Sequence, residues 1–209
     1  MYTPAAFRLD DLAEICALVR AAPLATLVTA TADGLMATPL PLILDETEGP
    51  HGVLHGHLAR ANPQASAQAL GEALAIFTGA DAYITPAWYA AKAESGQVVP
   101  TWNYEAVHAH GPIELYDDPD RLRAVVTRLT DRHEAGRPQP WAVTDAPAAY
   151  IDAQLRAIIG VRIPITRLEA KRKLSQNRPA GDRQRVADGL GQSERAADRA
   201  VARAMGLET

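Results

Sequence analysis

Arg60 and Asn62 stand two residues apart in the run Ala59-Arg-Ala-Asn-Pro-Gln64, where a guanidinium and an amide meet the end of a β-rich stretch. Gly52 to Leu58 reads as a short strand, and a helix is expected to follow the Asn-Pro pair as far as Leu70. A chain entering a helix leaves backbone N–H groups unpaired, and the two side chains add donors beside them. That set of groups suits a phosphate. The same Asn-Pro pair also starts helices that bind nothing, and the run lacks the glycine spacing of a P-loop or Rossmann turn.

A second stretch rich in chemistry runs from Val98 to Gly111. From Thr101 onward it reads as a strand of aromatic and branched residues. Alternation puts Trp102, Tyr104, His108 and His110 on one face, and Thr101, Asn103, Glu105 and Val107 on the other. Such a strand is either the wall of a site or a sheet strand with one polar, solvated face.

Other reactive groups have less around them. His55/His57 and His108/His110 each place two imidazoles on one strand face, a geometry that can chelate an ion. No carboxylate or Cys spacing completes either set, so no metal is expected and the histidines are read as satisfied or solvent-facing. Cys16 is the only cysteine. It falls in a helical pattern beside Ile15 and Leu18, which suits packing better than nucleophilic attack, and it excludes an intrachain disulfide. No nucleophile motif supports a Ser-His-Asp triad. Lys171 to Arg185 is locally basic, either an anion-binding or solvated segment or a contact for DNA phosphates. No helix-turn-helix pattern surrounds it.

The elements that must position these groups follow from patterning. Asp10 and Asp11 open a helix with apolar residues at helical spacing, which Pro23 stops. Leu24–Thr31, the Asp33-Gly34 turn and Leu35–Leu44 form a hairpin whose Pro39 and Pro41 demand an edge or a bulge. Ala73 to Gly79 is an apolar strand, and Tyr83 to Tyr89 a turn carrying three aromatics. Asp118-Pro119 caps one helix and Asp145-Ala-Pro147 a second, which runs to Leu155. Ile158 to Leu168 is a strand with Pro164 inside it. A charged, Ala-rich tail ends in a helix capped by Ser193. Strands at close intervals with helices inserted late imply an α+β, mostly antiparallel barrel with peripheral helices and a helical C-terminal tail.

Across 209 residues the chain is 47% hydrophobic and 22% charged, enough apolar material for one good-sized domain. Net charge is −4, which gives no global electrostatic case for nucleic acid or an acidic membrane. No apolar run reaches membrane-spanning length and no leader pattern opens the chain, so the expected location is the cytoplasm and no membrane partner is expected.

Several blocks in order resemble the PaiB family, FMN-binding negative transcriptional regulators of the flavin split-barrel type. They are Met1-Tyr-Thr-Pro4, Ala25-Thr-Leu-Val-Thr29, His57-Leu-Ala-Arg-Ala-Asn-Pro-Gln64, Ala75-Ile-Phe77, Tyr83-Ile-Thr-Pro-Ala-Trp-Tyr89, Val99-Pro-Thr-Trp-Asn-Tyr104, Val107-His-Ala-His-Gly111 and Lys173-Leu-Ser-Gln-Asn-Arg178. The likeness is nearly full length; Arg172 departs from it, since an aromatic residue is expected there. It implies a split-barrel domain over residues 1–178, a helical extension over 179–209 packed on the barrel, and a homodimer with FMN at the subunit interface. It further implies that Arg60 and Asn62 hold the FMN phosphate, with His57 in the same block. Thr38 and Pro39 would lie along the isoalloxazine, Thr101, Trp102 and Asn103 would wall the site, and Lys173 and Gln176 would reach it. The implied function is regulatory; the alternatives are an FMN-dependent reductase or oxidase, and direct repression through DNA contacts by the basic segment.

Overall fold

The computed structural model describes residues 1–207. The chain forms two compact units, one of Met1–Leu18, Thr78–Val107 and the chain from Glu169, the other of Val19–Phe77 and His108–Leu168.

In the second unit, strands β2 (Leu24–Thr31), β3 (Gly34–Asp45), β4 (Val53–Ala59), β7 (Glu114–Tyr116) and β8 (Ile158–Pro164) join the first half of β5 (Ala73–Ile84) in the order β5-β2-β3-β4-β8-β7. The pairings are antiparallel, with Thr26 opposite Ile76, Leu27 opposite Thr38, Leu44 opposite Leu54 and His57 opposite Gly160. Alternation drives this sheet: Leu27, Leu42, Leu54, Val161 and Ile163 are at most 1% exposed, each contributing about 1.5–3 kcal/mol of burial. The edge expected from Pro39 and Pro41 is present. That half of β3 pairs with β2 alone, and β4 takes up the other side only from Leu42. Gly56 separates two histidines because a Cβ there would lie 2.7 Å from the Pro41 carbonyl oxygen. Helix α3 (Pro119–Glu134) is capped as its sequence requires, the Asp118 carboxylate accepting from Arg121 N at 2.8 Å. It buries Leu122, Val125 and Leu129, and Leu122 shares a cluster with Val143, Ile151 and Leu155. The following helix (Ala148–Leu155) differs from expectation at its start: Asp145 closes a preceding 3-10 turn by accepting from Ala142 N, and no side chain caps the helix itself.

In the first unit, β1 (Arg8–Leu9), β9 (Arg167–Lys173), the start of β6 (Thr101–Gly111) and the end of β5 lie in the order β1-β9-β6-β5. The stretch expected as one strand from Ile158 to Leu168 is therefore two. After Pro164 the backbone turns, Ile165 N donating to Gly52 O and Thr166 N to His110 O. Leu12–Ala21, opened by the Asp11 carboxylate accepting from Glu14 N, is α1, and Ala91–Glu94 is a single-turn α2. Tyr83 and Ile84 close β5 rather than opening a turn. With α4 taken as Ala148–Leu155, the tail supplies α5 (Ala180–Gly191) and α6 (Ala196–Ala204), two helices where one was expected. Val186, Leu190 and Val201 pack with Ile84, Tyr89 and Leu174.

No helix among the described residues is long and apolar enough to cross a membrane.

Candidate functional site

The expected site residues fall into two groups, one in each unit, and each group has its own internal wiring.

In the second unit the chain leaves β4 at Ala59 and turns. Only a 3-10 turn, Pro63–Ala65, follows where a helix to Leu70 was expected. Asn62 is consumed in making that turn: its Oδ1 accepts from Gln64 N at 2.9 Å and its Nδ2 donates to Thr38 Oγ1 at 3.0 Å. The Thr38 hydroxyl thus serves as an acceptor to Asn62, which leaves its own proton to be donated outward. Pro39, next along the same free edge of β3, is exposed. Arg60 is fixed just as closely. Its backbone N donates to Ala157 O, its Nε to Arg156 O at 2.8 Å and its Nη2 to Ile158 O at 3.3 Å. What remains for a ligand is the Nη1 edge, 3.7 Å from the Asp117 carboxylate.

Gln64 has a role that nothing in the local sequence announces. It is 2% exposed and donates to Thr29 Oγ1 at 3.0 Å and Leu27 O at 3.3 Å, pinning the loop to β2.

His57 turns away from this cluster. It lines a cavity with residues of α3 and α4, whereas Arg60 lines a different one with Asp117 and Arg156. Burial pushes the His57 imidazole below its ordinary pKa. His55 is 8% exposed, its Nε2 3.5 Å from Glu48 Oε1. Burial lowers its pKa and Glu48 only partly opposes this. Asp45, Glu48 and His55 form a cluster whose ligand atoms lie within 4.8 Å of one another. Guanidinium groups already occupy both carboxylates, Arg128 on Asp45 and Arg162 on Glu48, each at 2.9 Å. Cation affinity there is correspondingly reduced.

In the first unit the alternation of β6 is as expected. Trp102 is 45% exposed and Tyr104 half-buried, while Asn103 and Glu105 are buried on the opposite face. Trp102 donates through Nε1 to Asp81 Oδ1 at 2.9 Å and meets the Tyr83 ring edge-on, with centroids 6.0 Å apart. Asn103 is fully buried; its amide and the Ser175 hydroxyl bond reciprocally at 3.0 and 3.2 Å. Ser175 carries a φ of 64°, the non-glycine position in the left-handed region among the described residues. Asn103 therefore acts on the turn that follows Lys173 rather than facing solvent. Gln176 helps close that turn, donating to Arg172 O at 2.6 Å and accepting from Leu174 N at 2.7 Å. Lys173 Nζ donates to Thr101 Oγ1 at 2.6 Å and to Trp102 O, leaving one of its three N–H donors. Burial, then the neighbouring Lys171 and Arg178 charges, lowers its pKa.

Arg172, where an aromatic residue was expected, has become the centre of an ion-pair network. Its Nε donates to Glu105 Oε1 at 2.7 Å and its other nitrogen pairs with Glu14. Much of the basic run has internal partners, although Arg183 Nε is buried without one. Lys171 donates to Tyr2 O and lies over the Tyr104 ring, Arg178 stacks on Tyr89, and Arg185 pairs with Asp182 and Trp88 O.

In the second unit Thr38 keeps a free hydroxyl proton at an unpaired strand edge and Arg60 a pre-set Nη1 edge beside Asp117, donors of the kind that a phosphate accepts from. In the first unit Lys173 keeps an ammonium proton.

Comparison with known proteins agrees. Residues 1–167 match the family described as "Putative FMN-binding domain". The Bacillus subtilis protein named "Protease synthase and sporulation protein PAI 2" is 32% identical over 195 residues, covering 93% of this chain and 91% of that one. An Aspergillus fumigatus protein is 35% identical, with 82% of this chain and 84% of its own covered. Among solved structures, the conserved protein Rv2991 of Mycobacterium tuberculosis has a TM-score of 0.59 at 16% identity, covering 86% of this chain and 94% of that one. The flavocytochrome Anf3 of Azotobacter vinelandii has a TM-score of 0.58 at 15% identity, with 79% and 69% covered. At such identities these structures speak to the fold alone, which is α+β and of the antiparallel split-barrel kind. The chain belongs to the PaiB family of FMN-binding domains.

Proposed function

We propose that this protein is a PaiB-type regulator of gene expression that works as an FMN-loaded homodimer, with the flavin at the subunit interface. Its phosphate is held by the Nη1 edge of Arg60 and the Thr38 hydroxyl, with Asn62 fixing both the hydroxyl and the turn. Lys173 of the second copy is the further cation. The observation that carries this reading is the Thr38–Asn62 bond, which spends the amide on holding a hydroxyl at a strand edge where no other strand competes for it. The Bacillus subtilis relative is named for protease synthase and sporulation, which favours a regulatory setting.

Bound FMN supplies one- and two-electron redox chemistry, while the chain supplies orientation and charge. Direct repression through DNA is disfavoured. Net charge is −4, and within the basic segment Lys171, Arg172, Lys173 and Arg185 each bond to internal partners. A DNA-binding face instead displays its cations to phosphates.

The alternative is an FMN-dependent oxidoreductase. Anaerobic mixing of the FMN-loaded protein with NADH or NADPH separates the two: the regulator keeps its oxidised flavin spectrum, whereas rapid bleaching would transfer the argument to a reductase. Co-purification of FMN at one per subunit in a dimer is expected; a monomer with bound FMN would remove the interface from the proposal.

A further inference from the structure

The second unit holds a cavity of about 320 Å³ between the end of β4, α3 and α4, and it is not the one beside Arg60. Its walls come from Val126 and Thr130 of α3, Tyr150 and Ile151 of α4, Trp141, and His57. Three features define what would enter it.

The first is charge. No Asp, Glu, Lys or Arg lines the cavity, so an ion entering it would lose its hydration with no opposite charge to offset the loss. The occupant is neutral. The second is shape. Trp141 and Tyr150 remain 46% and 57% exposed, two large aromatic surfaces at the rim of an apolar hollow. Aromatic walls favour a flat, aromatic guest, and the volume is at the lower end for small-molecule sites, room for one or two fused rings.

The third feature is the imidazole. His57 Nδ1 is buried and without a hydrogen-bond partner. A buried N–H with no acceptor is the rarer and costlier arrangement, so the ring proton belongs on Nε2. His57 then offers a single N–H donor from the β4 wall, and Thr130 and Gln154 add polar atoms near it. A carbonyl oxygen is the complement to that donor.

We propose that this cavity is a binding site for a small, neutral, planar aromatic molecule carrying a carbonyl acceptor for His57. Thr38, Arg60 and Asn62 do not line it, so it is separate from the proposed phosphate contacts. The proposal requires only that FMN sit outside this cavity, wherever its own site lies.

The test is titration calorimetry of the full-length protein with acetylnaphthalene, followed by Trp141 quenching, with ethylnaphthalene as the matched ligand that lacks the carbonyl. Saturable one-to-one binding is expected, with acetylnaphthalene the tighter ligand and FMN added afterwards neither competing nor being displaced. Thr130→Trp, which obstructs the rim, is expected to weaken both ligands by about tenfold or more. His57→Phe is expected to abolish the preference between them while leaving the fold's circular dichroism unchanged. If Thr130→Trp fails to fold, Tyr150→Ala at the exposed rim is the replacement and must weaken binding in the same sense. The proposal is overturned by an absence of saturable binding, by competition with FMN, or by a carbonyl preference that survives His57→Phe.

Discussion

Replacing Asn62 separates structure from function at a single side chain, because its two polar atoms do different work. Asn62→Ala removes both the Oδ1 bond to Gln64 N and the Nδ2 bond to Thr38 Oγ1. Loss of a capping side chain costs about 1 kcal/mol, and loss of a net hydrogen bond about another 1 kcal/mol. Together these lower Tm by roughly 4–8 °C for a chain of this size. Asn62→Asp keeps an oxygen for Gln64 N and is itself a good cap. It loses only the donor to Thr38, so its stability cost stays under about 1 kcal/mol. Its added negative charge would face the FMN phosphate, and FMN affinity is expected to fall by about tenfold or more, a repulsion of roughly 1.4 kcal/mol. The assay pairs urea unfolding with FMN titration by flavin fluorescence. Asn62→Asp binding FMN as tightly as the wild type would refute the placement of the phosphate near this turn. Asn62→Asp less stable than Asn62→Ala would refute the capping role.

Other consequences are equally concrete. Glu105→Gln leaves the partly buried Arg172 guanidinium with Glu14 as its remaining charged partner and is expected to destabilise by about 1–3 kcal/mol in urea melts; a change within about 0.5 kcal/mol would mean the pair is structurally idle. Burial depresses the pKa values of His55 and His57, so the unfolded chain binds protons more readily than the folded one once pH drops below about 6.5. Their stabilisation is complete above that value and is lost as pH falls through the folded-state values. Unfolding free energy should decline between pH ~7.5 and ~5, and less steeply in His57→Gln. Lys173→Met is expected to weaken FMN binding and flatten its salt dependence without a large change in Tm, measured by titration across a salt series.

Local chemistry made much of this fold legible. Asp11, Asp118, the Asp33-Gly34 turn and the alternation of β2 each specify their element from a few neighbouring residues. Pro39 and Pro41 announced an unpaired edge because proline cannot donate to a ladder. What was not legible depended on partners remote in sequence. The helix expected after Asn62 is a 3-10 turn because Gln64 is drawn inward to Thr29 and Leu27, some 35 residues away. Pro164 ends one strand and begins another because backbone groups at Gly52 and His110 capture the turn. At the site, the residue types were readable but their duties were not. Asn103 and Gln176 hold a turn in place, His57 faces another cavity, and Arg172 answers Glu105 and Glu14 where an aromatic was expected.

If Arg60 and Thr38 hold the FMN phosphate, comparison of FMN with riboflavin in equilibrium dialysis tests it most directly. Each charge-assisted bond to the phosphate contributes about 1.5–3 kcal/mol. FMN should therefore bind at least roughly tenfold more tightly than riboflavin, and Arg60→Met should erase most of that difference. Equal affinity for the two flavins in the wild-type protein would contradict the account.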